Sequence, residues 1–174
     1  ACAIIKHANP CGFGLGNNIK EAYKRAVSTD PVSYFGGIVG FNKTVDIETA
    51  QELIQPFLEC IIAPSFSKEA AEILKKKKNL RVISVNADYN EAFISIKSVA
   101  GGYLYQQRDS LQGELNNLNI VTKRKPTDNE YNAMDVGWKL VRQVKSNAIV
   151  LADKMQLLGV GAGQMSRIDS VKIA

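Results

Sequence analysis

Histidine, tryptophan and cysteine are scarce in this chain: 174 residues contain one His, one Trp and three Cys. The cysteines, Cys2, Cys11 and Cys60, leave one unpaired under any intrachain scheme, and none lies in a C-x-x-C pair. That excludes a disulfide framework and predicts a reducing, cytoplasmic setting. The same scarcity leaves none of the closely spaced ligands of common zinc sites, so no metal is expected. The zinc-deaminase pattern is also unmet. His7 is followed by Ala8 and Asn9, and Gly14 stands where a second cysteine should follow Pro10-Cys11. No apolar run approaches the roughly 20 residues needed to cross a bilayer, and the leading ACAIIKHANPCG has no signal-peptide pattern, so no membrane partner is expected. Internal repeats of solenoid period and low-complexity tracts are missing too. Basic blocks are equally lacking: residues 1–87 hold 11 Lys and Arg against 8 Asp and Glu, and the remainder 11 against 9. The densest run, Lys75 to Lys78 with Arg81, has no interleaved aromatics and reads as a solvated helix end, which argues against nucleic acid.

What is present is an ordinary globular composition. Hydrophobic residues make up 45% and charged residues 22%, with a net charge of +5 that suits an anionic small molecule. Short apolar runs alternate with amphipathic stretches. Strands are predicted at 1–6, 36–42, 60–63 and 80–85. The breaker-rich segment 9–14 follows the first of these. Helices are predicted from Asn17 or Asn18, from Asp46 and from Ser67, the last running to about Lys78 with its lysines where the helix dipole favours cations. This order predicts an α/β layered unit with at least part of its sheet parallel. Further β segments fall at 94–100 and 103–108. Residues 109–126 form the candidate linker, so lobes are placed at 1–112 and 113–174. Thr127 with Glu130 reads as a capping box opening a long helix, and NAIVLAD with QLLGVG reads as a hairpin. The first residues begin inside a strand pattern and the last stop inside a helical one, so the chain is expected to be a piece of a longer one.

The strongest chemical feature is Lys6-His7-Ala8-Asn9-Pro10-Cys11-Gly12, at the end of the first strand. In α/β sheets ligands collect beyond the carboxyl ends of strands, and a histidine there is a near-neutral base. In a continuing strand Lys6 and His7 would face opposite sides, so their cooperation requires the strand to end and the backbone to turn. From spacing alone His7 is open to three roles: catalytic group, ligand contact or structural residue. Cys11 lacks a Cys-His-acid arrangement that would activate it. Two glycine-containing passages, DPVSYFGG (30–37) and GVGAGQMSR (159–167), could hold an anion or a planar ligand edge, or could be structural turns. Neither is a dinucleotide fingerprint or a P-loop.

The segments IKHANPCG (5–12), DPVSYFGGIVGFN (30–42), IIAPSFSKEAAEILKKKKNLRV (61–82), VKSNAIVLA (144–152) and GVGAGQMSRIDSVKIA (159–174) carry a resemblance that runs end to end. Together they resemble the transformylase half of the bifunctional purine-biosynthesis enzymes that also carry IMP cyclohydrolase activity. The resemblance implies formyl transfer from 10-formyltetrahydrofolate to the 5-amino group of aminoimidazole carboxamide ribonucleotide. It implies a three-layer α/β/α cytidine-deaminase-like fold, duplicated in the parent, with the second lobe incomplete here. It places catalytic roles on Lys6, His7 and Asn147. It places substrate contacts on Glu59, on the turn Val32, Ser33, Phe35 and Gly36, and on Gly161, Gln164 and Arg167. It also implies a homodimer in which Lys6 and His7 come from one subunit and the Asn147–Arg167 loops from the other. The family's more distant phosphate-binding arginines and its cyclohydrolase half have no counterpart in this sequence. The alternative is a structural or nucleotide-binding piece of the same fold without catalysis of its own.

Overall fold

The computed structural model describes residues 1–85, 94–107 and 118–174. Its first unit is a five-stranded mixed sheet in the order β2-β1-β3-β4-β5. β1 (Cys2–Lys6) and β2 (Asn9–Gly14) form an antiparallel hairpin. β1 also lies antiparallel to β3 (Ile38–Phe41). β3, β4 (Cys60–Ala63) and β5 (Arg81–Ser84) run parallel. Parallel neighbours require crossovers, and the helices α2 (Ile47–Leu53) and α3 (Lys68–Leu74) supply them. Asp46 and Ser67 cap these helices through side-chain oxygens, as Asn18 caps α1 (Ile19–Thr29).

Ile4, Val39 and Ile61 are fully buried at the centre of the sheet, and Ala22, Tyr23, Ala26, Ala50, Leu53 and Leu74 press on it from the helices. Burying each large aliphatic side chain stabilises the fold by roughly 1.5–3 kcal/mol.

Two local expectations are corrected. Residues 9–14 are not a breaker loop but strand β2, because Gly12 and Gly14 let α1 approach closely; a Cβ at either would strike the backbone carbonyl of Ala26 or Ala22. α3 stops at Leu74 instead of near Lys78, and Lys76 and Lys77 continue in tighter turns to Ile73 and Leu74.

β6 (Ile94–Val99) and β7 (Gly102–Gln107) form a separate hairpin. The expected lobe boundary at 112/113 lies outside the described residues, and 118–126 take neither helix nor strand. α4 (Asp128–Val141) opens on the expected Thr127–Glu130 capping box, with Arg124 bonded to both Glu130 oxygens. That pairing with Arg124, helped by Thr127, holds the Glu130 carboxyl down to about 2. The hairpin β8 (Ile149–Ala152) and β9 (Leu157–Gly161) and the helix α5 (Arg167–Ile173) complete the chain. No described helix is long and apolar enough to cross a membrane.

The β8–β9–α5 unit repeats the β1–β2–α1 unit. In each, a hairpin is followed by a helix that packs on its second strand, and two glycines separated by a single residue admit the helix backbone. Gly14 and Gly12 meet the carbonyls of Ala22 and Ala26; Gly161 and Gly159 meet those of Ser170 and Ala174. The two units are joined edge to edge. Gly14 bridges Gln156, Leu15 N donates to Met155 O at 2.7 Å, and Thr29 Oγ1 donates to Leu157 O at 2.6 Å. Leu157 is fully buried beside Phe13 and Leu15.

Candidate active site

β1 ends at Lys6, and the hairpin turns through His7 and Ala8 before Asn9 pairs back with Lys6. The condition for Lys6 and His7 to cooperate is therefore met by a two-residue turn. His7 holds a left-handed backbone with φ 55°. This conformation costs a non-glycine residue roughly 1–2 kcal/mol, a strain that recurs at functional positions. Its ring is exposed and has no hydrogen-bond partner among the described residues, which leaves it available to a ligand.

The lysine reaches the neighbouring turn. Lys6 Nζ donates to the carbonyl of Phe35 at 2.6 Å, tying the hairpin to the turn at 30–37. That turn is built by Asp30, whose Oδ1 accepts from Val32 N at 3.1 Å and Ser33 N at 2.8 Å. Burial pushes the Asp30 carboxyl up, but the bonds from Ser33 and Val32 outweigh it and hold it below its ordinary value. Gly36 closes the turn with φ 68°, and a Cβ there would crowd Lys6 Nζ at 3.2 Å. Its N–H donates to Phe57 O at 2.8 Å. Phe35 and Phe57 stack obliquely with ring centroids 5.4 Å apart, and both rings remain about half exposed. With Val32 they present apolar side chains to solvent next to a cation.

Glu59 stands at the entry to β4, its N–H donating to Gly37 O. Its carboxylate is engaged by Arg81 at 2.8 Å, so the pair presents a neutralised rim to a ligand. The register Ile5–Ile38–Cys60–Arg81 runs straight across the sheet beside these residues. This corrects the expected placement. The carboxyl end of β1 is the amino end of β3, β4 and β5, because β1 runs antiparallel to them.

Asn147 lies in the second unit, after a cis peptide bond from Ser146. Its Nδ2 donates to Gln164 O at 2.9 Å and Met165 O at 3.0 Å, which commits both amide hydrogens and leaves Oδ1 as the available group. Ser170 Oγ donates to Asn147 O, and Gly163, with φ 70°, donates to Lys145 O. The loops 145–147 and 161–166 are thus one body. Gly161 is accounted for by the close approach of α5, and Gln164 serves through its backbone carbonyl. Arg167, the first residue of α5, is exposed and has no ion pair among the described residues.

Asn9 brings this body to the first. Its Oδ1 accepts from Lys145 N at 2.9 Å, two residues before Asn147 and two after His7. The hairpin turn that carries His7 and the loop that carries Asn147 are thus neighbours within one chain. Sequence reasoning assigned no role to Asn9 or Phe57. A polar residue inside a turn was the only signal for Asn9, and Phe57 carried none. Cys11 does not take part: it is buried, its thiol donates to Ile4 O, and desolvation, then the nearby Asp30, pushes it up to about 11.

A mixed sheet with a cationic, aromatic-lined turn at one end and a second hairpin–helix unit clipped beside it defines a protein of the mixed α/β class. More specifically, the chain belongs to the AICARFT/IMPCHase bienzyme family, whose model matches residues 1–174. It is 51% identical, over its whole length, to the bifunctional purine biosynthesis protein PurH of Bacillus cereus strain AH187. The same identity holds against PurH of Bacillus thuringiensis strain Al Hakam and of Bacillus anthracis strain CDC 684. The chain spans 34% of the length of each of these relatives.

Proposed function

We propose that this chain carries the core of the transformylase site, where a formyl group passes from 10-formyltetrahydrofolate to the 5-amino group of aminoimidazole carboxamide ribonucleotide. The observation that carries this reading is the Lys6–Phe35 bond. It sets a cation between a hairpin turn that exposes the chain's one imidazole and a turn whose Phe35 stands with Phe57 as an exposed aromatic pair.

The transfer replaces the formyl carbon's bond to folate N10 with a bond to the ribonucleotide amine. As the amine attacks, its nitrogen loses a proton, which His7 accepts as base. Lys6 keeps donors beyond the one given to Phe35, and these face the developing oxyanion. Asn147, with its amide hydrogens engaged, accepts from the attacking amine through Oδ1 and orients it. Collapse of the adduct breaks the carbon–N10 bond, and N10 takes up a proton from the His7–Lys6 turn. The Val32, Ser33, Phe35 and Gly36 turn, the Glu59–Arg81 rim and the Gly161–Arg167 loop frame the two substrates. No covalent enzyme intermediate is required. The setting proposed is cytoplasmic and homodimeric, with no role for nucleic acid or membrane.

His7→Gln in the full-length protein tests this. The variant is expected to fold and to lose about 100-fold or more in kcat, the scale of a positioned acid or base. Retention of half the parent rate would make His7 structural.

A binding piece without catalysis of its own is favoured by a separate feature. A groove of about 1120 Å³ opens between α4 and β8, lined by Met134, Trp138, Val141, Val150, Leu151 and Leu158 among others. Met134, Trp138, Leu151 and Leu158 are each about half exposed there, an apolar face of the kind that marks a binding groove. Formyl transfer by the full-length protein but not by residues 1–174 alone would select this reading for the segment.

A further inference from the structure

A second cavity lies against the candidate site. A cleft of about 190 Å³ is lined by Leu53, Pro56, Phe57, Leu58, Lys77, Lys78, Asn79 and Leu80. Its apolar wall comes from the α2 end and the segment leading to β4, and its rim from the turn that follows α3. Lys75 is held by Glu72, whereas Lys77 and Lys78 have no carboxylate partner among the described residues. Two unpaired cations beside an apolar wall suit a ligand segment that joins carbon chain to carboxylate.

The cleft is continuous with the site through one residue. Phe57 lines it, stacks on Phe35, and receives the Gly36 N–H on its carbonyl, while the carbonyl of Phe35 holds Lys6. From Lys6 outward the order is therefore cation, exposed aromatic pair, apolar cleft, lysine pair. A reduced folate has the matching order: formyl-bearing nitrogen, benzoyl ring, glutamate carboxylates.

We propose that the Phe35–Phe57 pair holds the benzoyl ring of the formyl donor and that the cleft rimmed by Lys77 and Lys78 binds its glutamyl carboxylates. This rests on the transformylase reading above. The ring packs against the tilted Phe pair, as aromatic groups prefer. The carboxylates meet the two ammonium groups at a partly exposed rim, where such pairs add modestly to affinity and weaken with salt.

The test uses the full-length protein and compares dissociation constants for 10-formyltetrahydrofolate and 10-formyltetrahydropteroate, the analogue without glutamate. The parent is expected to favour the folate by roughly 3- to 10-fold, the range open to two exposed ion pairs. The double variant Lys77→Ala/Lys78→Ala should bind both compounds alike, and Lys77→Arg/Lys78→Arg should restore the preference. Lys43→Ala, beyond the far end of β3, should leave it intact. Phe57→Leu should weaken both compounds by a similar factor. A full preference persisting in the double alanine variant places the tail elsewhere and overturns the proposal alone. If the parent binds neither compound, the transformylase reading falls and takes this proposal with it.

Discussion

Asn147 shows how a residue's neighbours choose its chemistry. An amide can donate or accept, and the sequence left both open. The carbonyls of Gln164 and Met165 settle the matter by engaging both hydrogens. Asn147→Ala removes those bonds, worth roughly 1–3 kcal/mol together, as well as the free acceptor. We expect a lower melting temperature and a kcat/KM reduced by about 10-fold or more, with much of the loss in kcat, read from steady-state kinetics. A rise in KM alone would make Asn147 a ground-state binding residue. Lys6 and His7 stood out in the sequence at the end of a strand pattern, and the turn that their cooperation requires is present. Phe57 was not, since its value comes from Phe35, 22 positions away in sequence and adjacent only in the fold.

Among the elements, the most legible were those whose signal is local. Three polar caps fixed helix starts, and the four-residue apolar run at 60–63 became β4 without adjustment. β2 was misread because glycine and proline locally signal a break, while its two glycines serve a distant contact with α1. That contact makes a direct expectation. Gly12→Ala drives a methyl group into the Ala26 carbonyl, and Gly161→Ala drives one into Ser170, so each should destabilise by roughly 1–3 kcal/mol in denaturant unfolding. Gly102→Ala, with nothing near its would-be Cβ, is the control and should change stability far less. Equal behaviour of the three would mean that the close approach is not what holds helix to hairpin.

At the scale of the whole molecule, the parallel part of the sheet was foreseen from alternation, whereas the reversed β1 was not. Pairing direction depends on which strand the hairpin meets, and no local pattern encodes that. The Asn9–Lys145 bond bears on assembly. If the His7 turn and the Asn147 loop serve one site from one chain, mixing His7→Gln with Asn147→Ala subunits and allowing exchange should restore no activity. Every site then carries one lesion. Recovery toward a quarter of the parent rate or more would return the two residues to different subunits.

The direction of β1 also decides the electrostatic character of the site. Because the site sits where β3, β4 and β5 begin, α1, α2 and α3 all finish there, each presenting carbonyl oxygens and the negative end of its dipole. An anionic substrate at this end gains nothing from the amino termini of α1, α2 and α3, which lie at the opposite edge of the sheet. Its charge is met by exposed ammonium and guanidinium groups such as Lys77, Lys78 and Arg167, whose attraction ions in solution readily compete away. Raising potassium chloride from 50 to 500 mM, a range over which the screening length falls severalfold, should therefore increase KM for the ribonucleotide and folate by roughly 3- to 10-fold while kcat changes little. A KM indifferent to salt would mean that the anions are held by buried, fixed donors, and that this lobe owes its affinity to a different end of the sheet.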